Sequence, residues 1–182
     1  MQLSEQEIIR REKLQQLRDL GVEPYPAEEF VVTSNSKEIK EKYEDGKMVK
    51  LAGRLMSVRV MGKASFAELQ DSEGRIQIYI SRDDISSTEE GIEYNTIFKK
   101  LMDIGDFIGI EGYEFKTKVG EISVHVTKLT LLSKTLRPLP IVKTDEEGHV
   151  FDAFTDPELR YRMRYVDMVV NPHVKDIFIK RT

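Results

Sequence analysis

The sequence predicts a mainly β fold with flanking helices, built on a five-stranded barrel with the element order β-β-β-α-β-β. The first observation is a change of hydrophobic period at Met48, from helical spacing to alternation. The second is that five alternating runs follow, separated by turn segments and polar loops. The third is one short helical pattern between the third and fourth runs, which completes this order.

A predicted helix precedes the barrel. Ser4 and Glu7 have the spacing of a capping box, and Gly21 ends the helical pattern. Four apolar residues form a loose stripe along it: Ile9, Leu14, Leu17 and Leu20. Four cations are interpreted as belonging mostly to a solvated face: Arg10, Arg11, Lys13 and Arg18. Residues 27–46 read as a polar connector, with a short helix near residues 36–43.

Five strands are then predicted, at residues 48–60, 65–70, 75–81, 106–116 and 121–132. The third has the cleanest alternation, with Ile76, Ile78 and Ile80 on one face. The first is long and contains Gly53, which suits a strand that bends to serve both halves of a barrel. A polar loop at 82–93 and a short helix at 94–102 separate the third strand from the fourth. This is the element order of the OB-fold.

The chain is divided into four predicted segments. They are an N-terminal helical extension (1–46), the barrel (47–135), a linker (136–155) and the start of a further domain (156–182). The linker begins with a proline-rich break and is expected to be polar and irregular. The stretch LRYRMRYVDMVV is interpreted as a packed amphipathic helix, and another helix starts at Pro172. That last helix stops after about three turns with no cap residue, so we interpret the chain as the amino-terminal piece of a longer protein.

Composition excludes several classes of function. The net charge of −4 over 182 residues excludes a globally basic nucleic-acid coat. The absence of cysteine excludes disulfides and thiolate chemistry. Three scattered histidines lack metal-ligand spacing, so no metal site is expected: His125, His149 and His173. No signal peptide and no membrane-spanning run is recognised, so a cytoplasmic protein without membrane contact is expected.

The second strand raises a specific question about Phe66. Its core face carries Ala67 and Leu69, which places Phe66 on the polar face with Glu68 and Gln70. A lone apolar residue there commonly means nothing, or it packs under a loop or another domain. OB-folds, however, bind nucleic acid across strands two and three. An exposed ring on that face is therefore also a candidate platform for an unstacked base.

Other residues on this face favour nucleic-acid binding. Residues 47–82 contain seven cations and three anions, a local charge of +4 in an acidic chain. Gln77 lies on the third strand, and its amide can read a base edge. Arg59 lies on the first strand, and its face depends on where that strand bends. Glu121 begins the fifth strand on its polar side. We therefore interpret Phe66 as a stacking residue.

Several stretches together resemble the amino-terminal part of class II lysyl-tRNA synthetases of the bacterial type. These are RREKLQQLRDLGVEPYP, GRLMSVRVMGKASFAELQDSEGRIQIYIS, FKTKVGEISV, LRPLP and DPELRYRMRYVDMVVNPHVKDIFIKRT. The barrel pattern alone would also fit the aspartyl and asparaginyl synthetases. The combination of RREKL, FKTKVGE and LRYRMRYVD is more specific to the lysyl branch.

The resemblance implies an anticodon-binding OB-fold followed by the first helices of a truncated class II catalytic domain. In such synthetases the ring at the position of Phe66 stacks on the central anticodon uridine. The residues at the positions of Gln77 and Arg59 bond to that base, and the glutamate at the position of Glu121 serves the third base. All four residue types are present in this sequence.

The same resemblance implies partners for the full-length enzyme. These are tRNA(Lys), lysine, ATP with Mg²⁺, and a second copy of the chain in a homodimer. The ATP and lysine site of the family would lie beyond Thr182, so no catalytic residue is assigned and the chain alone is expected to be non-catalytic. Two alternatives remain: a stand-alone OB-fold that binds single-stranded nucleic acid, and the anticodon domain of an aspartyl or asparaginyl synthetase.

Overall fold

A computed structural model describes residues 3–86, 91–140, 143–144, 150–151 and 154–181. The chain forms two compact units, Met1–Arg137 and Pro138–Thr182. The division between them falls inside the segment that the sequence predicts as a linker. The boundaries of the four predicted segments remain a prediction.

The amino-terminal helix α1 spans Glu5–Asp19 and has the predicted capping box. The Ser4 side chain accepts a hydrogen bond from the Glu7 N–H, and the Ser4 N–H donates to the Glu7 carboxylate. The helix ends at Asp19, and Gly21 follows its C-cap Leu20 with a φ of +76°, which favours glycine. A second helix, α2, spans Ser36–Glu41 and is shorter than predicted.

Five strands form the predicted barrel. They are β1 (Met48–Met61), β2 (Ala64–Gln70), β3 (Arg75–Ser81), β4 (Phe107–Lys116) and β5 (Ile122–Ser133). They pair in the closed order β1-β2-β3-β5-β4, antiparallel everywhere except between β3 and β5. The predicted fold class is therefore confirmed, with strand ends that differ by at most one residue from those expected.

Alternation along β2 and β3 separates the two faces of the sheet. Every second residue of these strands is buried, including the three isoleucines of β3. Their side chains join those of β1, β4 and β5 in one apolar core. The burial of these large aliphatic side chains contributes about 1.5–3 kcal/mol each. The remaining residues of β2 and β3 face outward.

Between β3 and β4, the described residues form two helical segments. The helical turn α3 spans Arg82–Ile85 and lies where the sequence predicted a loop. The π-helix Glu93–Leu101 occupies the position of the predicted helix, and the Met102 N–H donates to the Ile97 carbonyl five residues earlier. Its Tyr94 ring is fully buried in the barrel core, and the Tyr94 hydroxyl lies 2.8 Å from the Ser65 hydroxyl.

A β-bulge in β1 changes the direction of its side chains. The pairing with β2 shifts between Leu55 and Ser57, so that Met56 is the extra residue. Close approach of the two strands is also marked at Gly53, where an added Cβ would lie 2.5 Å from the Gln70 carbonyl oxygen. The bulge and the glycine together account for the bend of this long strand.

The interpretation of the α1 cations as a mostly solvated face is wrong for Arg10. Arg10 is 6% exposed, and its guanidinium donates to the carbonyls of Ile104 and Thr135. Those carbonyls belong to the loops at the start of β4 and after β5. A helical pattern cannot show what lies opposite a cation, and here the barrel supplies acceptors. Arg10 therefore ties α1 to the barrel.

A buried ionic cluster reinforces this attachment. The fully buried Lys134 ammonium lies 2.6 Å from Asp103 and 2.8 Å from Asp106. Lys13 of α1 binds the other oxygen of Asp103 at 2.5 Å. Burial raises the pKa of Asp103, but the hydrogen bonds from Lys13 and Lys134 outweigh it and hold the pKa below its ordinary value. In Asp106, burial dominates and raises the pKa.

The described residues of the second unit form two short strands and three helices. Strands β6 (Lys143–Thr144) and β7 (Val150–Phe151) pair as a hairpin, where the sequence predicted irregular structure. The helices are α4 (Pro157–Arg162), α5 (Arg164–Val170) and α6 (Pro172–Arg181). The prediction of one helix over LRYRMRYVDMVV is wrong, because Met163 has non-helical angles and divides it. Arg160 of α4 binds the buried Asp167 of α5 across this break, and Arg164 binds the same carboxylate from within α5.

Candidate nucleic-acid interface

A groove of about 430 Å³ lies on the outer face of the barrel. All five strands or the turns beside them contribute to it. The lining residues are Arg59, Phe66, Gln77, Tyr79, Phe115, Thr117, Lys118, Val119 and His125. Three of the four predicted site residues, Arg59, Phe66 and Gln77, are therefore brought together.

Arg59 and Phe66 occupy paired positions on neighbouring strands. They are Cα partners in the β1–β2 register, so their side chains leave the sheet on the same side. The Arg59 side chain is exposed, and its guanidinium lies 3.8 Å from the Met61 sulfur. No carboxylate in the described part of the chain pairs with it. Its donors are therefore available to a ligand in the groove.

Phe66 is half-buried and supported from one side. Its ring centre lies 5.2 Å from that of Tyr79, at an interplanar angle of 57°. The two residues are also Cα partners in the β2–β3 register. Phe66 thus packs against a neighbour on its own face and still lines the groove. A ring held in this way is a suitable platform for a base.

The floor of the groove contains an aromatic cluster that the sequence analysis missed. The His125 ring centre lies 4.9 Å from Tyr79, 5.8 Å from Phe115 and 4.7 Å from Tyr113. Alternation along β4 places Tyr113 and Phe115 on one face, which is the signal available in the sequence. It becomes useful only when the strand order is known, because in the closed barrel β5 pairs with β3 and β4 pairs with the other edge of β5.

Both nitrogens of the His125 ring have polar neighbours. Nδ1 lies 2.9 Å from the Tyr113 hydroxyl, and Nε2 lies 2.7 Å from a carboxylate oxygen of Asp84. Asp84 belongs to α3, so this contact ties the connector after β3 to the groove floor. The ring is therefore fixed at both ends.

Gln77 is held by a neighbour on β5. The Ser123 hydroxyl donates to Gln77 Oε1 at 3.0 Å, and the two residues are partners in the parallel β3–β5 register. Gln77 lines the groove beside Tyr79. Its Nε2 has no hydrogen-bond partner among the described residues.

Glu121 does not line the groove with the other three predicted residues. It lies in the β4–β5 turn, one residue before β5, and not at the start of the strand as predicted. Its backbone N–H donates to the Thr117 hydroxyl, and its carbonyl accepts from the Thr117 N–H. Thr117 does line the groove, so the Glu121 backbone is joined to its margin while the side chain is exposed.

Several cations of the predicted positive segment are neutralised by carboxylates. Four of its seven form salt bridges: Lys47 with Glu44, Lys50 with Glu111, Arg75 with Glu68 and Arg82 with Asp83. Within the part of the chain that the structure describes, the other three, Arg54, Arg59 and Lys63, have no carboxylate salt-bridge partner, and neither does Lys118 of the β4–β5 turn. Arg59 and Lys118 line the groove, which places unpaired positive charge at the site itself.

Two further observations concern the residues that the structure describes. They contain no group of three histidine, cysteine, aspartate or glutamate residues that could hold a metal ion. None of their helices is long and apolar enough to cross a bilayer.

Residues 49–132 match a tRNA anticodon family model described as an OB-fold nucleic acid binding domain. This range begins one residue into β1 and ends one residue before the end of β5. The barrel is therefore an OB-fold nucleic-acid-binding domain of the tRNA anticodon-binding family.

The whole chain is also similar to lysine–tRNA ligases. It is 60% identical over 187 residues to that of Porphyromonas gingivalis strain W83 and 61% identical over 181 residues to that of Christiangramia forsetii. Both alignments cover 100% of this chain and 32% of the relative. For Azobacteroides pseudotrichonymphae the identity is 57% over 183 residues, covering 99% of this chain and 36% of the relative.

The chain thus spans about a third of the length of these curated relatives. It carries the anticodon-binding OB-fold domain in the form found in the amino-terminal third of lysine–tRNA ligases. The resemblance predicted from the sequence is confirmed, and the stand-alone protein and the sister synthetases are not favoured.

Proposed function

We propose that this domain binds the anticodon loop of tRNA(Lys). The observation that carries the proposal is the convergence of Arg59, Phe66 and Gln77 in one groove of an anticodon-type OB-fold. A ring, a planar cation and a side-chain amide are the groups that read an unstacked base. They lie on the face that OB-folds use for nucleic acid.

In the proposed complex, the central uridine of the anticodon stacks on Phe66. Tyr79 supports the ring from the side, so little ordering is required when the base arrives. Stacking of one base on an aromatic side chain contributes about 1–3 kcal/mol. Arg59 and the Gln77 amide then donate to the edge of the same base.

The third anticodon base is assigned to Glu121. Its exposed carboxylate lies on the turn joined through Thr117 to the groove margin, outside the groove itself. This position suits a nucleotide next to the one on Phe66. A carboxylate accepts hydrogen bonds only, so it favours a base that presents a donor.

The activity of the longer protein is part of the same proposal. We infer that it attaches lysine to tRNA(Lys) through a lysyl-adenylate, using ATP and Mg²⁺, as a cytoplasmic homodimer. We assign ATP, Mg²⁺ and lysine to a part of the protein outside residues 1–182, as the family resemblance implies. The role of residues 1–182 is to select the tRNA.

The test is a comparison of RNA ligands with the purified chain. We expect tighter binding of a lysine anticodon stem-loop than of a poly-pyrimidine strand at physiological salt. Equal affinities would instead support a protein that coats single strands. A stem-loop changed only at the third anticodon base separates the lysine-specific domain from its aspartate and asparagine counterparts. Loss of affinity on this change supports the lysine assignment.

A further inference from the structure

We propose that Ser123 is a specificity-determining residue of the groove. By donating its hydroxyl proton to Gln77 Oε1, it fixes the orientation of the Gln77 amide. The groove then presents the amide NH₂ to the base and rejects a pyrimidine that carries an amine. This inference rests on the proposed anticodon-binding function and concerns how the central base is chosen.

The position of Ser123 supports this role. It is fully buried, and its backbone pairs with Gln77 on β3 and with Phe115 on β4. Both of those neighbours line the groove. A serine hydroxyl has one proton to donate. Gln77 Oε1 lies 3.0 Å away, whereas the alternative acceptor, the Glu121 carbonyl, lies at 3.4 Å.

The amide orientation decides what the groove can accept. A glutamine side chain has an acceptor oxygen and a donor NH₂ at the two ends of one planar group. With its oxygen engaged by Ser123, Gln77 has its NH₂ left for a ligand. The Arg59 guanidinium has donors and no acceptor. Both side chains proposed to bond the base therefore donate to it.

Uracil and cytosine differ in the group at position 4 of the ring. Where uracil, like thymine, carries the acceptor O4, cytosine carries the amine N4. An amine that faces the Gln77 NH₂ forms no hydrogen bond, and both groups lose their water partners on binding. Sites built in this way discriminate strongly against the wrong group. Without the Ser123 proton, the amide can turn over and offer its oxygen to the amine.

The experiment compares two stem-loops that differ only in a central uridine or cytidine. Wild-type chain should prefer uridine by at least about tenfold, as expected for one correctly paired base edge. Ser123→Ala removes the hydroxyl, and Ser123→Cys replaces it with a weak donor of similar size. Both should reduce the preference to below about threefold, mainly by binding cytidine more tightly. Ser123→Thr keeps the hydroxyl and should keep the preference.

A matched control is Ser65→Ala. Ser65 is also fully buried, but its hydroxyl lies 2.8 Å from the Tyr94 hydroxyl in the core. This change should lower thermal stability and leave the uridine preference intact. An unchanged preference in either folded Ser123→Ala or folded Ser123→Cys overturns the role of Ser123. The proposed function itself fails in a different measurement, when wild-type chain binds a scrambled loop as well as the lysine loop.

Discussion

Arg59 and Phe66 lie opposite each other across β1 and β2 because a bulge at Met56 resets the register between them. Before the bulge, Arg54 pairs with Gln70, and both side chains are on the outer face. Continued alternation from Arg54 would turn Arg59 toward the core. One extra residue instead returns Arg59 to the outer face, beside the ring that it is proposed to assist.

Replacement of Arg59 should affect RNA binding and leave the fold intact. We expect Arg59→Ala to weaken binding of the lysine anticodon stem-loop by about 1.5–3 kcal/mol, the contribution of a hydrogen bond from a charged group. Arg54→Ala is the control. Arg54 donates to the Gly105 carbonyl and lies 4.1 Å from the Phe107 ring centre, so its loss should reduce stability. The proposed site would be contradicted if Arg59→Ala lowered stability with unchanged RNA affinity while Arg54→Ala weakened RNA binding.

Phe66→Ala tests the stacking platform. We expect weaker stem-loop binding by about 1–3 kcal/mol, or roughly 5- to 150-fold. Phe66→Tyr should have a mild effect, because the ring remains. Phe98→Ala is the matched control, since Phe98 is 3% exposed in the core, and it should cost about 3–5 kcal/mol of stability. A thermal melt and a titration on each variant separate the two effects. A large fall in melting temperature for Phe66→Ala with unchanged affinity would exclude stacking.

The salt dependence of binding should be shallow. If Lys63 and Lys118 each contact one phosphate, and the charge of the base-bound Arg59 displaces one more counterion, the slope of log affinity against log salt is about −2 for a single strand. Lys118→Ala should reduce the magnitude of this slope by about 0.7. Lys128→Ala should leave it unchanged, because Lys128 pairs with Glu111 and does not line the groove. A slope several times steeper would indicate a coating protein.

The docking of α1 should weaken in acid. The pKa of Asp103 is depressed in the folded state, so its stabilisation is present above pH 3.8 and is lost as the pH falls through the folded pKa. The raised pKa of Asp106 acts in the opposite sense. Asp103→Asn should therefore reduce the fall in the free energy of unfolding at acid pH, called here the acid limb. It should also lower that free energy by about 1.5–3 kcal/mol at neutral pH, measured by denaturant titration.

A surface aspartate provides the comparison for this experiment. Asp83 binds Arg82 but is 66% exposed, and it has no contact with α1 in the described structure. Asp83→Asn should leave both the acid limb and the stability at neutral pH close to those of wild type. Identical acid profiles for Asp103→Asn and wild type would show that Asp103 does not control this transition.

The chain alone should not activate lysine. We expect no lysine-dependent pyrophosphate exchange from residues 1–182, because the phosphate-binding arginines implied by the family lie outside them. The measurement uses purified chain with ATP, Mg²⁺ and lysine, beside a full-length lysine–tRNA ligase as the positive control. Exchange above the level of a sample without lysine would contradict the assignment of catalysis to another part of the protein.

The sequence predicted the barrel because local chemistry decides which face of a strand is buried. Ile76, Ile78 and Ile80 alternate with polar residues, and that alternation alone places them in the core. The same rule placed Phe66 and Gln77 on the outer face. These predictions hold because they depend on neighbours within one strand.

Predictions failed where the local pattern does not contain the deciding information. Arg10 is buried against loops about 94 and 125 residues away, and nothing within α1 shows this. Met163 interrupts a continuous helical pattern that gives no warning of the break. Periodicity records the residues beside a position in the chain. It does not record the acceptors that folding brings to it.

The sequence by itself determined the fold class, the outward face of Phe66 and Gln77, and the family to which the domain is related. Only the tertiary structure decided that Arg59 shares that face, that His125 and Phe115 form the groove floor, and that Ser123 holds the Gln77 amide. The reason is physical. A strand's own alternation sets its two faces, but register, bulges and barrel closure set which side chains of different strands meet.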